Sequence, residues 1–376
     1  MARTILRVGD PAPWFIGRTT TSDEYHFHTV AGRYIVVSFF GSAQQATARE
    51  FLGTVTGELR RRFDDTFLTF YGVSIDPLDA GSLRESIPGI RYFLDFDRRI
   101  SALYGAADDA GDTDRVTYRS LTLVLDPRMR VCSVVPWIDP ATHVAQLRDV
   151  LDGLPPLPRD EPAPVLVLPR VFEPELCREL IGLYETNGGS ESSFMRQMGE
   201  KTVPVLDYGF KRRTDFFFED QPEFVSIRKR IDSRLKGRLV PEVEKAFQFQ
   251  ITRIERYLVA CYDAGVGGFF RPHRDNTTRG TMHRKFACTI NLNADDYDGG
   301  DLRFPEFGQR SYRAPTGGAV VFSCSLLHEA QPVTRGTRYA FLPFFYDDEA
   351  AEVRRQNRQY ISEEIVDRRV PSDAQR

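Results

Sequence analysis

Two histidines and one aspartate carry the clearest chemical signal in this sequence. His273 and Asp275 are separated by one residue, and His328 follows on a later segment. Side chains two positions apart on a strand point to the same side, so His273 and Asp275 can reach one metal ion while His328 completes the set. Two imidazoles and one carboxylate on one face of the metal are the ligands of non-haem Fe(II) oxygenases. The pattern predicts such a site.

An arginine shortly after the second histidine predicts a neighbouring anion site. Arg338 follows His328 at a distance that lets the next strand bring its guanidinium into the same pocket. Arginine binds a carboxylate in a bidentate manner, and the far end of 2-oxoglutarate offers such a group. We therefore expect an organic co-substrate beside the metal.

The elements that must position these residues are short strands preceded by helices. Helices are predicted from Pro174, over 222–238 and over 241–247. The strands that follow are predicted at 251–261, 286–293, 301–304, 318–324 and 337–346. Helices followed by many short strands favour a helix-supported jelly roll, the double-stranded β-helix.

The same region resembles the prolyl 4-hydroxylase-like family of 2-oxoglutarate- and Fe(II)-dependent dioxygenases. The similarity covers about 180 residues, beginning with a helical entry near Val167. The motifs that carry it are Tyr262-Asp263-Ala264-Gly265, Pro272-His273-Arg274-Asp275, Thr289-Ile290-Asn291-Leu292-Asn293, Gly299-Gly300-Asp301-Leu302-Arg303-Phe304-Pro305, His328-Glu329 and Thr337-Arg338-Tyr339.

The resemblance implies a reaction and assigns residues to it. Fe(II) would be held by His273, Asp275 and His328. The co-substrate 2-oxoglutarate would be contacted by Arg338, Tyr262, Asn291 and Thr289. The family couples decarboxylation of 2-oxoglutarate, to succinate and CO2, with O2-dependent hydroxylation of an unactivated C–H bond, and ascorbate can serve as reductant.

The substrate does not follow from these motifs. An amino-acid-like small molecule or specialised metabolite is favoured, and a peptidyl-proline in a protein is the alternative. A redox sensor or thiol peroxidase is a hypothesis of another class, and a catalytically silent scaffold is a third. The intact ligand set argues against the scaffold.

The first half of the chain alternates between strand and helix patterns. Strands are predicted at 34–40, 67–75, 120–125 and 130–135, and helices at 46–63, 98–104 and 141–151. The strand at 34–40 is a nearly continuous apolar run, as expected for a buried strand. This alternation predicts an α/β sheet.

This half resembles the alkyl hydroperoxide reductase and thiol peroxidase family, the peroxiredoxins, whose fold is thioredoxin-like. The resembling stretches are Gly9-Asp10-Pro11-Ala12-Pro13, Gly72-Val73-Ser74-Ile75-Asp76, Asp95-Phe96-Asp97-Arg98-Arg99 and Arg119 before Leu121-Thr122-Leu123-Val124-Leu125-Asp126. The family's thiolate stands three residues before a glutamate, but here Glu50 is preceded by Thr47. A hydroxyl cannot replace a thiolate nucleophile. We expect a non-catalytic module that docks or pairs two chains as a homodimer.

A proline-rich segment separates the two halves. The segment 156–164 is rich in proline and favours an extended linker. The sequence therefore predicts a peroxiredoxin-like domain over 1–155 and a dioxygenase domain over 165–348. A charged tail, a solvated helix with a frayed end, is predicted over 349–376.

Composition limits the partners and the compartment. The formal net charge of −3 provides no global positive field for nucleic acid or an anionic membrane. No apolar run reaches membrane-spanning length, and the N-terminus does not resemble a signal peptide. The 5 cysteines are scattered without a CxxC pair, which favours a reducing cytoplasm. Arginine dominates over lysine, as in GC-rich bacterial genomes.

Several other polar residues are interpreted as structural. The histidines in this group are His26, His28, His143 and His283. Cys132 is expected to pack in the interior. The run Lys211-Arg212-Arg213 is interpreted as a solvated basic stretch, with a border of the substrate mouth as the alternative. The loop 276–284, beside the metal, is a candidate substrate lid.

Overall fold

The computed structural model describes residues 6–108, 117–219 and 221–368. The chain divides into two compact units, Met1–Glu161 with Pro305–Gly308, and Pro162–Phe304 with Gln309–Arg376. Pro305–Gly308 thus groups with the first unit, although the sequence analysis assigned it to the second domain. Among the described residues, no helix combines the length and apolar character needed to span a membrane.

The first unit is built on a mixed sheet. Its strands are β1 (Ile16–Gly17), β2 (Tyr25–His26), β3 (Tyr34–Gly41), β4 (Leu68–Ser74), β5 (Ile90–Leu94), β6 (Leu121–Leu125) and β7 (Val131–Pro136). Its helices are α1 (Ala46–Thr56), α2 (Arg99–Leu103) and α3 (Pro140–Asp152). The main sheet has the order β5-β4-β3-β6-β7. Strand β3 is parallel to β4 and antiparallel to β6, and the predicted α/β alternation is present.

Helices α1 and α3 share one hydrophobic core with this sheet. Phe51 of α1 packs in the same cluster as Leu147 and Leu151 of α3. Helix α3 begins where the side chain of Asp139 accepts a hydrogen bond from the backbone N–H of Thr142 at 3.0 Å. Such a cap satisfies one of the free N–H groups at a helix start.

Two expectations for the first unit were wrong. The predicted elements did not include β5, whose Arg91 forms an ion pair with Asp65 at 2.7 Å between Nη2 and Oδ2. Cys132, expected to pack inside, is exposed. It lies on β7 at the end of the sheet order, where alternate side chains can face solvent.

The second unit contains the remaining elements. Its strands are β8 (Leu166–Leu168), β9 (Ser190–Glu191), β10 (Phe194–Met198), β11 (Lys201–Leu206), β12 (Lys211–Arg212), β13 (Thr214–Phe217), β14 (Arg253–Glu255), β15 (Leu258–Asp263), β16 (Phe269–His273), β17 (Phe286–Asn291), β18 (Asp298–Gly299), β19 (Leu302–Arg303), β20 (Ser311–Tyr312), β21 (Ala319–Ser323), β22 (His328–Ala330), β23 (Val333–Arg335), β24 (Thr337–Phe341), β25 (Phe344–Tyr346) and β26 (Val366–Asp367). Its helices are α4 (Pro174–Asn187), α5 (Val225–Arg234), α6 (Val240–Phe247) and α7 (Asp348–Asn357), with a π-helical turn at Leu235–Leu239 joining α5 to α6.

Two sheets of the second unit pack face to face. The larger has the order β14-β25-β17-β24-β15-β13-β9, with β21 paired to β17 and β8 to β21. The smaller has the order β12-β16-β22-β19-β20. Leu258 and Ala260 of the larger sheet share a buried cluster with Phe270 and Ala330 of the smaller. Facing antiparallel sheets of this kind agree with the predicted jelly-roll architecture.

Each face of the larger sheet has a separate role. Cys288 and Ile290 of β17 pack in the cluster formed with helices α4, α5 and α6. Thr289 and Asn291 alternate with them and therefore point to the opposite side. We call this side, which carries Thr289, Asn291 and Leu258, the inner face. It is the side that meets the smaller sheet and the predicted metal ligands.

The C-terminal segment is more ordered than the predicted charged tail. Helix α7 is followed by β26, which pairs in parallel with β11 through Val205 and Val366. The backbone N–H of Ser362 also donates to the carbonyl of Thr202 at 2.9 Å. The described part of the tail is therefore paired with a strand rather than frayed. Val366 packs against a hydrophobic cluster, although the residues around it in the sequence are mostly charged. Residues 369–376 of the predicted tail lie outside the described residues.

Candidate metal centre and co-substrate site

The structure brings His273, Asp275 and His328 together. One ligand atom from each lies within 4.8 Å of the others. Asp275 Oδ1 is 3.6 Å from His273 Nε2, and Asp275 Oδ2 is 3.3 Å from His328 Nε2. Two imidazole nitrogens and a carboxylate oxygen at these separations fit a single first-row divalent metal ion.

Strand pairing places the two histidines side by side. His273 ends β16 and His328 begins β22, and the two residues are direct cross-strand partners. The backbone N–H of Asp275 donates to the carbonyl of Cys324 at 3.0 Å, which holds the aspartate next to the same ladder. The site therefore depends on the pairing of two strands that are distant in sequence.

Backbone carbonyls orient both imidazole rings. His273 Nδ1 is 2.7 Å from the carbonyl oxygen of Arg271, and His328 Nδ1 is 3.0 Å from that of Leu326. A carbonyl can only accept, so each Nδ1 carries the proton and each Nε2 is left with its lone pair. This second interaction is typical of metal-binding histidines because it fixes both ring orientation and tautomer.

Electrostatics favour the protonation states that bind metal. Burial, followed by the charge of His273, lowers the pKa of His328 to about 4, so this imidazole is neutral near pH 7. Burial acts to raise the pKa of Asp275, but the neighbouring His328 and His273 outweigh it and bring that pKa below its ordinary value. A neutral imidazole and an ionised carboxylate are the ligand forms.

Aromatic rings wall the metal site. Phe270 is stacked on His273 with ring centroids 3.6 Å apart, and Phe322 lies edge-on to His328 at 4.5 Å. Such apolar neighbours restrict the rotation of the ligand rings and exclude water. They are consistent with a dry cavity at the metal.

Arg338 lies on the inner face with guanidinium nitrogens available for a ligand. The residue is 2% exposed, and its Nη2 donates to Thr289 Oγ1 at 2.9 Å. Its Nε and Nη1 are buried without a hydrogen-bond partner among the described residues. An unpaired buried guanidinium is costly, so this arginine is suited to receive a carboxylate.

The other predicted co-substrate residues lie near Arg338. Tyr262 is its direct neighbour across β15 and β24, and the Arg338 guanidinium carbon is 5.0 Å from the centre of the Tyr262 ring. Asn291 donates from Nδ2 to the carbonyl of Ala314 at 2.7 Å, while its Oδ1 is buried without a partner among the described residues. The four residues thus form one polar patch, and their contact with 2-oxoglutarate stays a prediction.

The run Lys211-Arg212-Arg213 is not a solvated stretch, contrary to the sequence interpretation. Lys211 is buried, and its Nζ donates to Ser192 Oγ at 2.6 Å. Arg213 is equally enclosed and forms an ion pair with Asp215 at 2.7 Å between Nε and Oδ1. Only Arg212 is exposed. Charge composition alone could not show this, although the acid two residues after Arg213 was a signal for a buried pair.

The loop 276–284 is anchored at several points. The backbone N–H of Gly280 donates to Thr202 Oγ1 at 2.8 Å, which ties the loop to the β10–β11 hairpin. His283, interpreted as structural, is 2.6 Å from Glu255 through Nε2 and Oε2, and Arg284 Nη2 is 2.6 Å from Glu255 Oε1. The lid role proposed for this loop is untested.

The buried carboxylate of Glu255 predicts a large effect on stability. Replacement of Glu255 by Gln should lower the free energy of unfolding by about 3–5 kcal/mol, because it leaves Arg284 buried without its counter-charge. The measurement is urea unfolding of both proteins. Glu352→Gln is the matched control, since that carboxylate pairs with Arg355 near the surface, and an equal loss in both variants would contradict the prediction.

The three other histidines singled out in the sequence lie in the first unit. His143 is buried, with Nε2 2.9 Å from Thr122 Oγ1. His26 and His28 are ring neighbours at 5.6 Å. Among the described residues, the cluster of potential metal ligands is the one at His273, Asp275 and His328.

Residues 257–346 match the family model of the 2OG-Fe(II) oxygenase superfamily. This range includes all the predicted metal and co-substrate residues. This part of the second unit is therefore similar to the 2OG-Fe(II) oxygenase superfamily, in agreement with the resemblance seen in the sequence. The cofactors of that superfamily are Fe(II), 2-oxoglutarate and O2.

Curated relatives carry related names. A PKHD-type hydroxylase of Synechococcus sp. (strain JA-2-3B'a(2-13)) is 32% identical over 112 residues, which cover 27% of this chain and 49% of that protein. A PKHD-type hydroxylase of Paracoccus denitrificans (strain Pd 1222) is 40% identical over 87 residues, covering 21% of this chain and 37% of that protein. At best the chain spans about half the length of the relatives it matches.

Two solved structures are similar to parts of the chain at low similarity. A prolyl hydroxylase from Trichoplax adhaerens gives a TM-score of 0.37 at 19% identity, covering 50% of this chain and 86% of that one. Peroxidoxin BcpB from Mycobacterium tuberculosis gives a TM-score of 0.33 at 15% identity, covering 40% of this chain and 99% of that one.

Proposed function

We propose that the whole protein is a 2-oxoglutarate- and Fe(II)-dependent dioxygenase that hydroxylates an unactivated C–H bond of an amino-acid-like small molecule or specialised metabolite. The observation that carries the proposal is the juxtaposition of the His273, Asp275 and His328 ligand atoms with the buried, partly unpaired guanidinium of Arg338. The two histidines lie on strands of the smaller sheet and Arg338 lies on a strand of the larger sheet, and these two sheets of the second unit face each other.

One set of residues would bind the iron, and a second set would orient 2-oxoglutarate. Bound iron supplies the activation of O2 that is coupled to the oxidative decarboxylation of 2-oxoglutarate to succinate and CO2. His273, Asp275 and His328 would hold the iron ion. Arg338 pairs with the 5-carboxylate of 2-oxoglutarate, with Tyr262, Thr289 and Asn291 as its polar surroundings. The aromatic walls keep water from the reacting bond.

A protein substrate is the second candidate. The hydroxylase names of the relatives are compatible with a peptidyl-proline substrate as well as with a small molecule. The two are separated by supplying Fe(II), 2-oxoglutarate and O2 with either free amino acids or proline-containing peptides. Succinate formed in excess over the substrate-free rate identifies the class. An enzyme that neither binds nor consumes 2-oxoglutarate when loaded with Fe(II) would overturn the proposed function.

The first unit is proposed to be a thioredoxin-like module without peroxidase chemistry, covering residues 1–155, that docks or pairs two chains. Thr47 lies in the first turn of α1, where it is exposed and lines a cavity of about 550 Å3 with Tyr118, Arg119 and Trp137. It offers a hydroxyl where the resembling family has a thiol. Sedimentation of the full chain tests the proposed homodimer.

The full-length protein should show no thiol-dependent peroxide reduction. Peroxide consumption with a dithiol reductant is measured for the wild type and for Cys132→Ser, which removes the exposed cysteine. Background rates are expected for both, because the nucleophile's thiolate is the basis of that reaction. Catalytic peroxide consumption by either protein would contradict the prediction and restore the peroxidase hypothesis.

We also propose a cytoplasmic location. All the cysteines are free, and Cys177, Cys261, Cys288 and Cys324 are buried. Free thiols are typical of proteins in reducing compartments. Fractionation of the producing cells tests this proposal.

A further inference from the structure

Arg256 is an arginine of the second unit that takes no part in the proposed co-substrate site. Arg256 lies between β14 and β15, directly after Glu255. Among the described residues, no hydrogen bond or ion pair is formed with its guanidinium. Arg256 is partly buried and partly exposed, so a ligand from solvent can reach its guanidinium. Its nearest acid, Glu255, is already engaged with His283 and Arg284.

Arg256 contacts Phe344, which lies on the inner face. The guanidinium carbon of Arg256 is 4.7 Å from the centre of the Phe344 ring, and that of Arg284 is 4.1 Å from the same ring. Phe344 is the cross-strand partner of Ala287, which shares its side of β17 with Thr289 two residues on. Arg256 therefore contacts a ring on the inner face, the side of the sheet that also carries Thr289.

The charges around Arg256 are unbalanced. Basic residues in electrostatic range of one another at this end of the unit are Lys211, Arg213, Arg256 and Arg284. The acids Asp215 and Glu255 are taken by ion pairs with Arg213 and Arg284. The field of Asp275 also reaches Lys211, but a bound metal ion would neutralise that carboxylate. The positive charges of Lys211 and Arg256 therefore have no acidic ion-pair partner among these residues.

Holding Arg256 here has an energetic cost. Burial, followed by the positive charge of Arg284, lowers the pKa of Arg256 to about 10, which shows that its cationic form is destabilised. Its backbone has φ of 77°, a left-handed conformation that a residue other than glycine adopts at a cost. Strain and unpaired charge at one residue are characteristic of positions kept for a ligand.

We propose that Arg256 binds a carboxylate of the substrate, so that the enzyme acts on a small carboxylic acid of the amino-acid type. This inference rests on the proposed function and narrows its substrate class. Arg284 shares the Phe344 ring with Arg256 and is within electrostatic range of Asp275. A substrate that reaches Arg256 from the metal site would therefore carry its carboxylate on the same small molecule as the oxidised carbon. Stacking on Phe344 leaves the edge of the guanidinium free for a bidentate contact.

The test uses a carboxylate probe rather than the unidentified substrate. Full-length protein is loaded with Fe(II) and 2-oxoglutarate without O2, so that Arg338 is occupied. Trifluoroacetate or its neutral counterpart trifluoroacetamide is then titrated at constant ionic strength, and 19F relaxation reports binding. The wild type should bind the acid and not the amide.

Variants assign the binding to one side chain. Arg256→Gln should weaken trifluoroacetate binding about tenfold or more, as expected for loss of a charge-assisted pair, and Arg256→Lys should recover part of it. Arg253→Gln is the matched control, because Arg253 lies three residues before Arg256, on β14, but pairs with Asp348 at the surface. It should bind the probe as the wild type does.

The outcomes separate this inference from the proposed function. Equal binding of acid and amide by the wild type would overturn the carboxylate assignment. Undiminished trifluoroacetate binding in Arg256→Gln would also overturn it, since the probe would then occupy the metal or another cation. Failure of the wild type to bind 2-oxoglutarate in the presence of Fe(II) would instead remove the proposed function.

Discussion

Replacement of any one of His273, Asp275 or His328 by alanine should abolish iron-dependent succinate formation while the fold survives. Two remaining ligands cannot hold Fe(II) in a rigid site with an open face. Loss of outer partners of metal ligands already costs about 10–100-fold, so we expect removal of a ligand itself to exceed about a hundredfold. The measurement is succinate produced per enzyme at saturating Fe(II) and 2-oxoglutarate.

The control must remove a carboxylate without touching the site. Asp298→Asn suits this purpose because Asp298 is exposed and pairs with the exposed Arg335, at 2.6 Å between Oδ2 and Nε. This variant should keep wild-type turnover. Circular dichroism of each ligand variant checks that the fold is intact, and undiminished turnover in a folded ligand variant would contradict the assignment of the metal site.

The ligand set was accessible from the sequence through the residue types and spacing of His273, Asp275 and His328. The two histidines are cross-strand partners at the ends of β16 and β22, but Asp275 lies in the turn that follows β16, so strand alternation does not explain its position. The carbonyls that orient the rings could not be predicted. They belong to Arg271 and Leu326, and a backbone contact of this kind depends on how the chain turns, not on the type of side chain.

The sequence wrongly indicated that the basic run at 211–213 is solvated, although two of its charged side chains are buried. A run such as Lys211-Arg212-Arg213 has the same composition whether it faces water or the interior. The difference arises from tertiary partners, since Ser192 and Asp215 accept from Lys211 and Arg213 only once β12 and β13 take their places in separate sheets. Ser192 is distant from Lys211 in sequence, and although Asp215 is close to Arg213, nothing local shows that this ion pair is enclosed.

The three-stranded sheet of β10, β11 and β26 was missed for a similar reason. Its strands carry mixed polar and apolar residues and resemble loop or tail segments in isolation. They become strands because β10 pairs with β11 and β26 adds to the free edge of β11, where Val366 pairs with Val205. Edge pairing supplies backbone hydrogen bonds that depend little on side-chain type.

Replacement of Arg338 by alanine should raise the KM for 2-oxoglutarate steeply and leave iron affinity nearly unchanged. Its Nε and Nη1 have no protein partner among the described residues, so a carboxylate can take both. A hydrogen bond to a charged group contributes about 1.5–3 kcal/mol, and loss of one such bond corresponds to roughly tenfold or more in affinity. Loss of two should approach a hundredfold or more.

Arg335 provides the control for the expected rise in the KM for 2-oxoglutarate. Arg335→Ala removes an equally basic side chain from the adjacent strand β23, where it is exposed and pairs with Asp298. Its KM for 2-oxoglutarate should equal that of the wild type, and iron affinity is measured separately for all three proteins. If the KM of Arg338→Ala also stays unchanged, the buried guanidinium serves the fold through Thr289 and Tyr262, and another residue anchors the co-substrate.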